Sequence, residues 1–533
     1  MGGKFQPLAR GISSPSRSGR VISYSRKKLF FVRKKSTATA HLLGEPTRKA
    51  PPMRLIIFLI FLLFPISILL MPWPAQGQPN HGPLALDNVQ VIDAEHERVS
   101  APRCVRIETG RLARIDEAGS AECHEQAQVL DLQGRYLMPG LIDMHAHLDL
   151  GPMEILQEDG QVLGQALPDD EIAEHNARRL VAFGVTTVRN PGGDLESAAR
   201  YKARRAAGEL VGPELFNAGL IINNAKLRGL AVAAETPDDV RRLVAEQVAG
   251  GADWIKFYTG LSPEMLQAGI DEARAHGRPS VAHLEDIAWT DALAMGLDGI
   301  VHLMPLSPDL RTTEQRDAWQ ATSRGATYSF FEWWEHFDVD GPHAEQLIAA
   351  FEQHRPVFDA TVMVFHAAFV QDSDDTYKED SRRYAHPRLL ANWNEWFTFG
   401  LGWEAEDFER ARAVWPKVQR MAARLHATDA RMTIGTDMGN PWVAPGISVH
   451  REMELLADAG VPAPRLLLAA TSNAADALGI GEQTGRIASG YQADLLVLDA
   501  NPLLDISNTK QIHAVVLDGQ LLTTEALNQL KGE

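Results

Sequence analysis

Two hydrophobic periods divide the chain. From Ala85 to Leu137 short runs alternate apolar and polar positions between Gly and Asp turns, as in Val89-Gln90-Val91-Ile92, Val105-Arg106-Ile107 and Arg111-Leu112-Ala113-Arg114-Ile115. Alternation of period two predicts half-buried strands. The C-terminal stretch repeats it in Ala493-Asp494-Leu495-Leu496-Val497-Leu498 and in Ala514-Val515-Val516-Leu517, which runs into Asp518-Gly519. Strand-rich segments at both ends of a chain can pair with each other, so residues 84–138 and 484–525 are expected to form a composite β-sandwich.

Residues 139–483 follow a different rhythm. Gly184-Val185-Thr186-Thr187-Val188, Trp254-Ile255-Lys256-Phe257-Tyr258, Ser280-Val281-Ala282-His283 and Met432-Thr433-Ile434-Gly435 are buried-strand runs separated by helical periods. After Glu235, Thr236 stands as N-cap with Pro237 at the first helical position. Val240, Leu243, Val244 and Val248 then share one face, and Gly250-Gly251 ends the helix. Ser262-Pro263 repeats that start and Gly277 that stop. Sustained strand-helix alternation predicts an α/β fold with a parallel sheet, most economically a (β/α)₈ TIM-type barrel. The rhythm is lost between about 303 and 431, which holds seven of the eleven Trp, among them Trp333-Trp334, Trp393, Trp396 and Trp403. One barrel strand is expected inside this insertion, near Phe358 to Val364. The rest is read as accessory helices rather than as pocket lining.

Upstream, Leu55 to Met71 is apolar except for Ser67, is preceded by Arg54 and is followed by Pro72-Trp73-Pro74-Ala75-Gln76-Gly77. Basic residue, apolar run and small residues are the layout of an export signal, so 53–77 is read as a signal peptide with the mature chain starting near Gln78; an uncleaved membrane anchor is the alternative. The protein is therefore expected to be exported, periplasmic or secreted, with membrane contact only through 55–71 if that segment is kept. Residues 1–52 are Ser-, Arg- and Lys-rich with no hydrophobic period, a disordered basic extension. Met53-Arg54 is itself a well-formed signal start, which makes Met53 the expected initiation site.

Composition narrows the function classes. At 533 residues, 45% hydrophobic and 23% charged, the chain can bury a large core. Residues 1–54 carry 13 Lys and Arg against one acid, leaving 39 basic and 68 acidic residues in the body. A body that acidic excludes nucleic acid as a partner. Two cysteines, Cys104 and Cys123, exclude a disulfide scaffold and a Cys₄ zinc module. Export permits a disulfide between them, and two free thiols are the alternative.

Candidate chemistry collects at the ends of the buried strands. His145-Ala146-His147 closes Leu141-Ile142-Asp143-Met144, so both imidazoles point to one side. Lys256, His283, His302 and Asp437 stand at further strand ends. A lone histidine there is commonly a satisfied core residue, and Lys256 alone reads equally as a snorkelling lysine. In a barrel, however, these ends converge on one mouth, where imidazoles and a carboxylate make a zinc-type site.

The run Pro139-Gly140-Leu141-Ile142-Asp143-Met144-His145-Ala146-His147, the strand Ile434-Gly435-Thr436-Asp437, and the tail Gly485-Arg486-Ile487 to Gly490-Tyr491-Gln492-Ala493-Asp494-Leu495 together resemble the metal-dependent amidohydrolase superfamily. The resemblance runs from Leu86 to the C-terminus and is to its binuclear, carboxylated-lysine members, the imidazolonepropionase- and prolidase-like amidohydrolases. It implies that His145 and His147 bind a buried metal and that His283 and His302 bind a second, more exposed one. Lys256 would bridge the two as an N-carboxylated lysine, and Asp437 would ligate the first metal and shuttle protons. Two divalent ions, zinc by expectation, would lower the pKa of a shared water toward about 7, and the bridging hydroxide would attack a polarised carbonyl.

The reading is a hydrolase of an amide or peptide-like C–N bond in a small N-acyl or dipeptide-like substrate. Its partners are that small molecule and, as the fold admits, further copies of the chain. Tyr258 and Asn440 are weaker substrate-contact candidates. Arg189-Asn190 ends the second strand, and His450 is read as a structural residue starting the final helix. A mononuclear zinc deaminase would use a carboxylate three residues after His283, where Asp286 stands. The same metals could instead serve lactone or phosphoester hydrolysis, and an inactive barrel could serve as a binding module.

Overall fold

The computed structural model describes residues 82–158, 161–304, 312–373, 375–395 and 397–533. The basic extension, the apolar run with its cleavage point, and Trp396 lie outside the described residues. Both chain ends meet in one nine-stranded sheet. Its central strand, Leu84–Asp93, changes partners along its length. Leu84–Leu86 pair with Val105–Ile107 antiparallel and with Gln128–Leu130 parallel, whereas Gln90 and Val91 pair with Tyr136 and Leu137. The register breaks between Leu86 and Val89, and Asn88 turns there at φ 52°. Tyr136–Pro139 in turn pairs with the C-terminal strand Leu495–Leu498. Leu84, Leu86, Val89, Leu137, Leu495, Val497 and Val516 thereby bury one apolar cluster, the alternating positions that the period-two pattern marks.

Among the described residues, ten parallel strands form two further sheets, and eight of them carry the alternation: β1 (Leu141–Asp143), β2 (Val185–Asn190), β3 (Glu214–Asn217), β4 (Ile255–Phe257), β5 (Ser280–Ala282), β6 (Gly299–Val301), β7 (Val357–Asp359) and β8 (Arg431–Thr433). β3-β2-β1 form one sheet, and β4 to β8 form another that the short strands Ile221–Asn223 and Ala231–Ala233, after β3, extend. Backbone hydrogen bonds cross between the two sheets. Met144 N–H donates to Ile434 O (2.8 Å), Asp437 N–H to His145 O (2.8 Å), and Asp253 N–H to Asn217 O (2.8 Å). Almost every residue in these strands is buried, which is why they read as continuous apolar runs. The helix Pro237–Ala249 starts as its sequence dictates, with Thr236 and Asp239 in a reciprocal capping box, and buries Val240, Leu243 and Val244.

The insertion departs from expectation at one strand. β7 ends at Asp359, and Val362–Phe369 is a helix, so the strand expected near Phe358 to Val364 is shorter. Val362, Val364 and their apolar neighbours fit a buried strand and a buried helix equally, and Thr361 at φ 45° breaks the strand. Trp333, Trp334 and Trp393 are core residues, as expected of accessory helices. His450 lies in the helix Ile447–Asp458, bonded to Thr509 Oγ1 (2.9 Å) and Phe183 O (3.0 Å). It is structural, but that helix is not the final one, because three more follow it.

Cys104 and Cys123 are joined by a disulfide that staples the helix Ala121–His124 to the strand Arg103–Glu108. The bond closes a loop with a sequence separation of 19. Such a loop restricts the unfolded chain by about 3 kcal/mol. Replacing both cysteines with serine should lower the free energy of unfolding by about that amount. Denaturant titration checks it, and an unchanged midpoint would show that the bond does not constrain the chain.

Candidate metal centre

The six predicted residues come together at the C-terminal ends of five strands. His145 Nε2 and His147 Nε2 lie 3.4 and 3.3 Å from the same Asp437 oxygen, Oδ1. These three residues are buried and present one ligand atom each within 4.8 Å of one another, a group able to hold a metal ion. His302 stands beside them, its ring 4.6 Å from that of His145 and 4.7 Å from that of His283. Lys256, from the middle of β4, is 2% exposed, and its Nζ has no hydrogen-bond partner.

Local backbone shape makes this convergence possible. Asp143 Oδ1 accepts the N–H of His145 (3.0 Å) and of Thr436 (3.1 Å), and its Oδ2 accepts the Thr436 hydroxyl (2.7 Å). One carboxylate thus ties the end of β1 to the turn after β8. A Cβ at Gly435 would meet the Cβ atoms of His145 and Asp359 at 2.7 and 2.9 Å, so only glycine fits between them. His302 and Asp437 both adopt left-handed backbone, at φ 67° and 61°. Such conformations cost of order 1–3 kcal/mol in a residue with a side chain and persist where surrounding bonds hold them.

A further set of bonds fixes each imidazole. His145 Nδ1–H donates to Asp359 Oδ2 (2.6 Å) and His147 Nδ1–H to Gly192 O (3.0 Å), which leaves both Nε2 lone pairs free to bind a cation. His302 Nδ1 bonds to Thr361 Oγ1 (2.7 Å). Arg189 Nη2 donates to the other Asp359 oxygen (2.9 Å), its Nε to Met144 O (2.7 Å), and its guanidinium stacks 4.7 Å above Trp254. Burial drives His145 and His302 well below their ordinary values, so both are neutral donors. Burial pushes the Asp437 carboxyl up, and the positive charge that His145, His147 and Lys256 carry when protonated pulls it the other way, below the usual carboxylate range. Burial pulls the Lys256 ammonium down to about 7, Arg189 adding to the effect while Asp359 and Asp437 oppose it.

The weaker candidates divide. Tyr258 packs its ring on His283 at 4.3 Å, beside the site. Asn440 turns its amide back to Asp437 O (3.1 Å) and so braces the loop that carries Asp437. Asp286 is exposed and accepts the Gly260 N–H (3.0 Å). The carboxylate near His283 is instead Glu285, 3.5 Å from Nε2. Sequence reasoning missed Asp359 because the overlong strand placed it in a strand interior rather than at a strand end. The test applied to the histidines, a polar residue closing an apolar strand, finds it once β7 ends at 359.

Residues 136–307 and 365–522 match the model of the amidohydrolase family. The chain belongs to that family. Among curated relatives it is 26% identical over 225 residues to an imidazolonepropionase of Caulobacter vibrioides (36% of this chain, 55% of that one), and 28% identical over 130 residues to one of Bacillus mycoides (20% and 31%). The chain spans about half the length, or less, of the curated relatives it matches. Similar solved structures include a putative prolidase from Bifidobacterium longum (TM-score 0.59, 21% identity, 85% of this chain and 99% of that one). The bottromycin amidohydrolase is another (TM-score 0.62, 21% identity, 86% and 90%). Together with the family match they make the fold a TIM-barrel-like α/β architecture.

Two outcomes follow from this geometry. Asp359→Asn removes the negative charge and leaves one acceptor oxygen where His145 and Arg189 each use one, so the His145 ring is held less firmly, and metal affinity measured by competition with a chelator should fall about 10–100-fold. In metal-free, carbon dioxide-free buffer, the unfolded chain keeps the Lys256 proton up to its ordinary value of 10.5, whereas the folded chain releases it near 7. Between those values the unfolded state binds more protons, so stability rises with pH. Lys256→Met should flatten the rise in denaturation midpoint from pH 7 to 10, and parallel curves for the two proteins would show that Lys256 is solvated.

Proposed function

We propose that this amidohydrolase cleaves an amide or peptide-like C–N bond of a small N-acyl or dipeptide-like substrate, on two divalent metal ions, zinc by preference. The observation that carries the reading is the unpartnered Lys256 Nζ, buried within electrostatic reach of His145, His283, His302 and Asp437. A permanent cation would be costly in that place. With its ammonium pulled down to about 7, a large share of the amine is neutral at neutral pH. A neutral amine can add to carbon dioxide: its lone pair forms the N–C bond, a C=O electron pair moves to oxygen, and the nitrogen proton leaves to solvent. The product is an anionic carbamate in place of a cation.

The donor set fits that outcome. His145, His147 and Asp437 would hold one ion, His283 and His302 the other, with the Lys256 carbamate shared. Neutral imidazoles contribute no charge and Asp437 contributes one negative, so the carbamate reduces an excess of about +3. When bound, the ions supply Lewis acidity, lowering the pKa of a coordinated water toward about 7 and polarising the carbonyl. Asp437 takes the proton of the attacking water and returns it to the leaving amine. The bonds from His145 to Asp359 and from His147 to Gly192 keep both rings oriented throughout. The two parallel sheets are read as parts of one eight-stranded (β/α)₈ barrel, supported by the hydrogen bonds that join β8 to β1. The nine-stranded sheet is read as a sandwich sharing its central strand. Export is supported by the apolar run 55–71 and by the Cys104–Cys123 disulfide, a bond favoured in oxidising compartments.

The test is a library of dipeptides and N-acyl amino acids offered to zinc-supplemented protein in bicarbonate, with metal analysis alongside. Two equivalents of metal and amide turnover are expected, and Lys256→Ala should lose metal and at least 100-fold in rate, about 2.7 kcal/mol. Short carboxylates added back should partly restore both. Turnover of esters or lactones but of no amide would overturn the reaction class. One metal per chain, unchanged by Lys256→Ala, would overturn the binuclear site.

A further inference from the structure

The side chains around the histidines are chemically different on the two sides of the site. On the side of β4 and β5 they are polar: the Tyr258 ring sits on His283, and the Glu285 carboxylate lies 3.5 Å from His283 Nε2. On the side of β6 to β8, beyond Asp359 and Thr361 that hold His145 and His302, they are aromatic. Phe365, in the helix Val362–Phe369 after β7, stands edge-on to the His302 ring with centroids 6.0 Å apart. Phe330, in the helix Ser329–His336 after β6, meets Phe365 at 5.2 Å, and Phe399 meets Phe330 at 5.5 Å. An unbroken file of rings leads from a candidate ligand outward, and its members change from buried Phe365 to half-buried Phe330 and Phe399.

The outer end of this file is anchored to the site from its far side as well. Thr398, next to Phe399, accepts the Trp442 indole N–H (3.3 Å), and Trp442 belongs to the loop that begins at Asp437. Trp442 holds left-handed backbone at φ 68°, which a bulky residue adopts only under constraint. Segments after β6, β7 and β8 are thus locked together through aromatic groups around His302 and Asp437. Partly exposed phenylalanine rings in such a place lose little by accepting another ring, which would replace water on their open edges.

We propose that this file is the specificity pocket of the site, and that the substrate is an amide carrying an aromatic group on one side of the scissile bond. The inference rests on the amide-hydrolase reading above and names the substrate class for it. Tyr258 and Glu285 then meet the polar half of the molecule, and Phe330 is the residue whose ring contact sets the preference.

The test uses three small amides: N-acetylglycine, N-benzoylglycine with the ring on the acyl half, and N-acetylphenylalanine with the ring on the amine half. Binding is measured by calorimetry on metal-stripped full-length protein, where no turnover consumes the ligand, and hydrolysis is measured separately on zinc-loaded protein. At least one aromatic amide is expected to bind tenfold or more tightly than N-acetylglycine, and which one identifies the half that carries the ring. Phe330→Ala and Phe330→Leu should each reduce that ratio at least fivefold, the leucine retaining apolar volume in case the alanine variant does not fold. Equal or undetectable binding of all three, or a preference that survives Phe330→Leu, overturns the proposal. Hydrolysis of all three without preference also overturns it while leaving the amide-hydrolase reading in place. Aromatic preference in binding with no hydrolysis of any amide supports the pocket and removes the reaction instead.

Discussion

Asp359 sits where water does not reach, with Arg189 on one carboxylate oxygen and His145 on the other. Burying such a pair costs several kcal/mol in lost hydration, and removing one partner typically costs 3–5 kcal/mol because the other charge is then stranded. The three residues come from β7, β2 and β1, so their geometry fixes strands that are not all neighbours. His145 can turn its Nε2 toward Asp437 because its Nδ1 is spoken for. Arg189 in turn reaches Met144 O and lies over Trp254, so the cation that balances Asp359 is itself fixed by backbone and by an aromatic face.

The same logic extends outward with decreasing charge. Glu452, fully buried, accepts the N–H groups of Val362 (3.0 Å) and Met363 (2.7 Å) at the start of the helix after β7. Burial pushes its carboxyl up to about 8 although both bonds favour the anion. That cap holds the residue before it, Thr361, in left-handed backbone, and Thr361 is the partner of His302 Nδ1. Two histidines on different strands are therefore each oriented by a residue from the β7 segment, one through Asp359 and one through Thr361. The part of the insertion that follows β7 is tied to the same region by Asn392, whose side chain bonds both N–H and C=O of Met153 (3.1 and 2.9 Å) in the loop that follows the His145 strand.

Much of this was legible in the sequence because burial writes itself as pattern. Period-two runs at both ends marked the shared sheet, uninterrupted apolar runs marked β2, β4, β5 and β8, and Thr236-Pro237 and Ser262-Pro263 marked helix starts to the residue. The histidines, Lys256 and Asp437 were found as polar groups closing apolar strands. What escaped lay where the pattern is degenerate. Val362 to Phe369 is apolar at every position but His366, too little polarity to separate strand from helix, and the overlong strand concealed both Asp359 and Thr361. Asp143 was visible inside a motif, but its task of joining the ends of β1 and β8 depends on a partner almost three hundred positions away in the chain, a separation that no local period encodes. Asn440 and Asp286 show the converse. Each has the residue type and spacing of a site group, but Asn440 donates to Asp437 O within its own loop and Asp286 accepts the Gly260 N–H.

The left-handed backbone at His302 and Asp437 has an evolutionary consequence. Both positions hold residues that adopt this backbone at some cost relative to asparagine or glycine, in a place where the side chain is needed for ligation. Asparagine tolerates that conformation better than most residues and is almost isosteric with aspartate, and glycine tolerates it best. Selection for thermal persistence alone would therefore pull 437 toward asparagine and 302 toward glycine, relieving strain while dismantling the cluster. Lineages that have lost the need for chemistry but kept the need to fold should carry those two replacements first. The identity of residues 302 and 437 thus offers a way to sort working copies of this architecture from those retained as scaffolds.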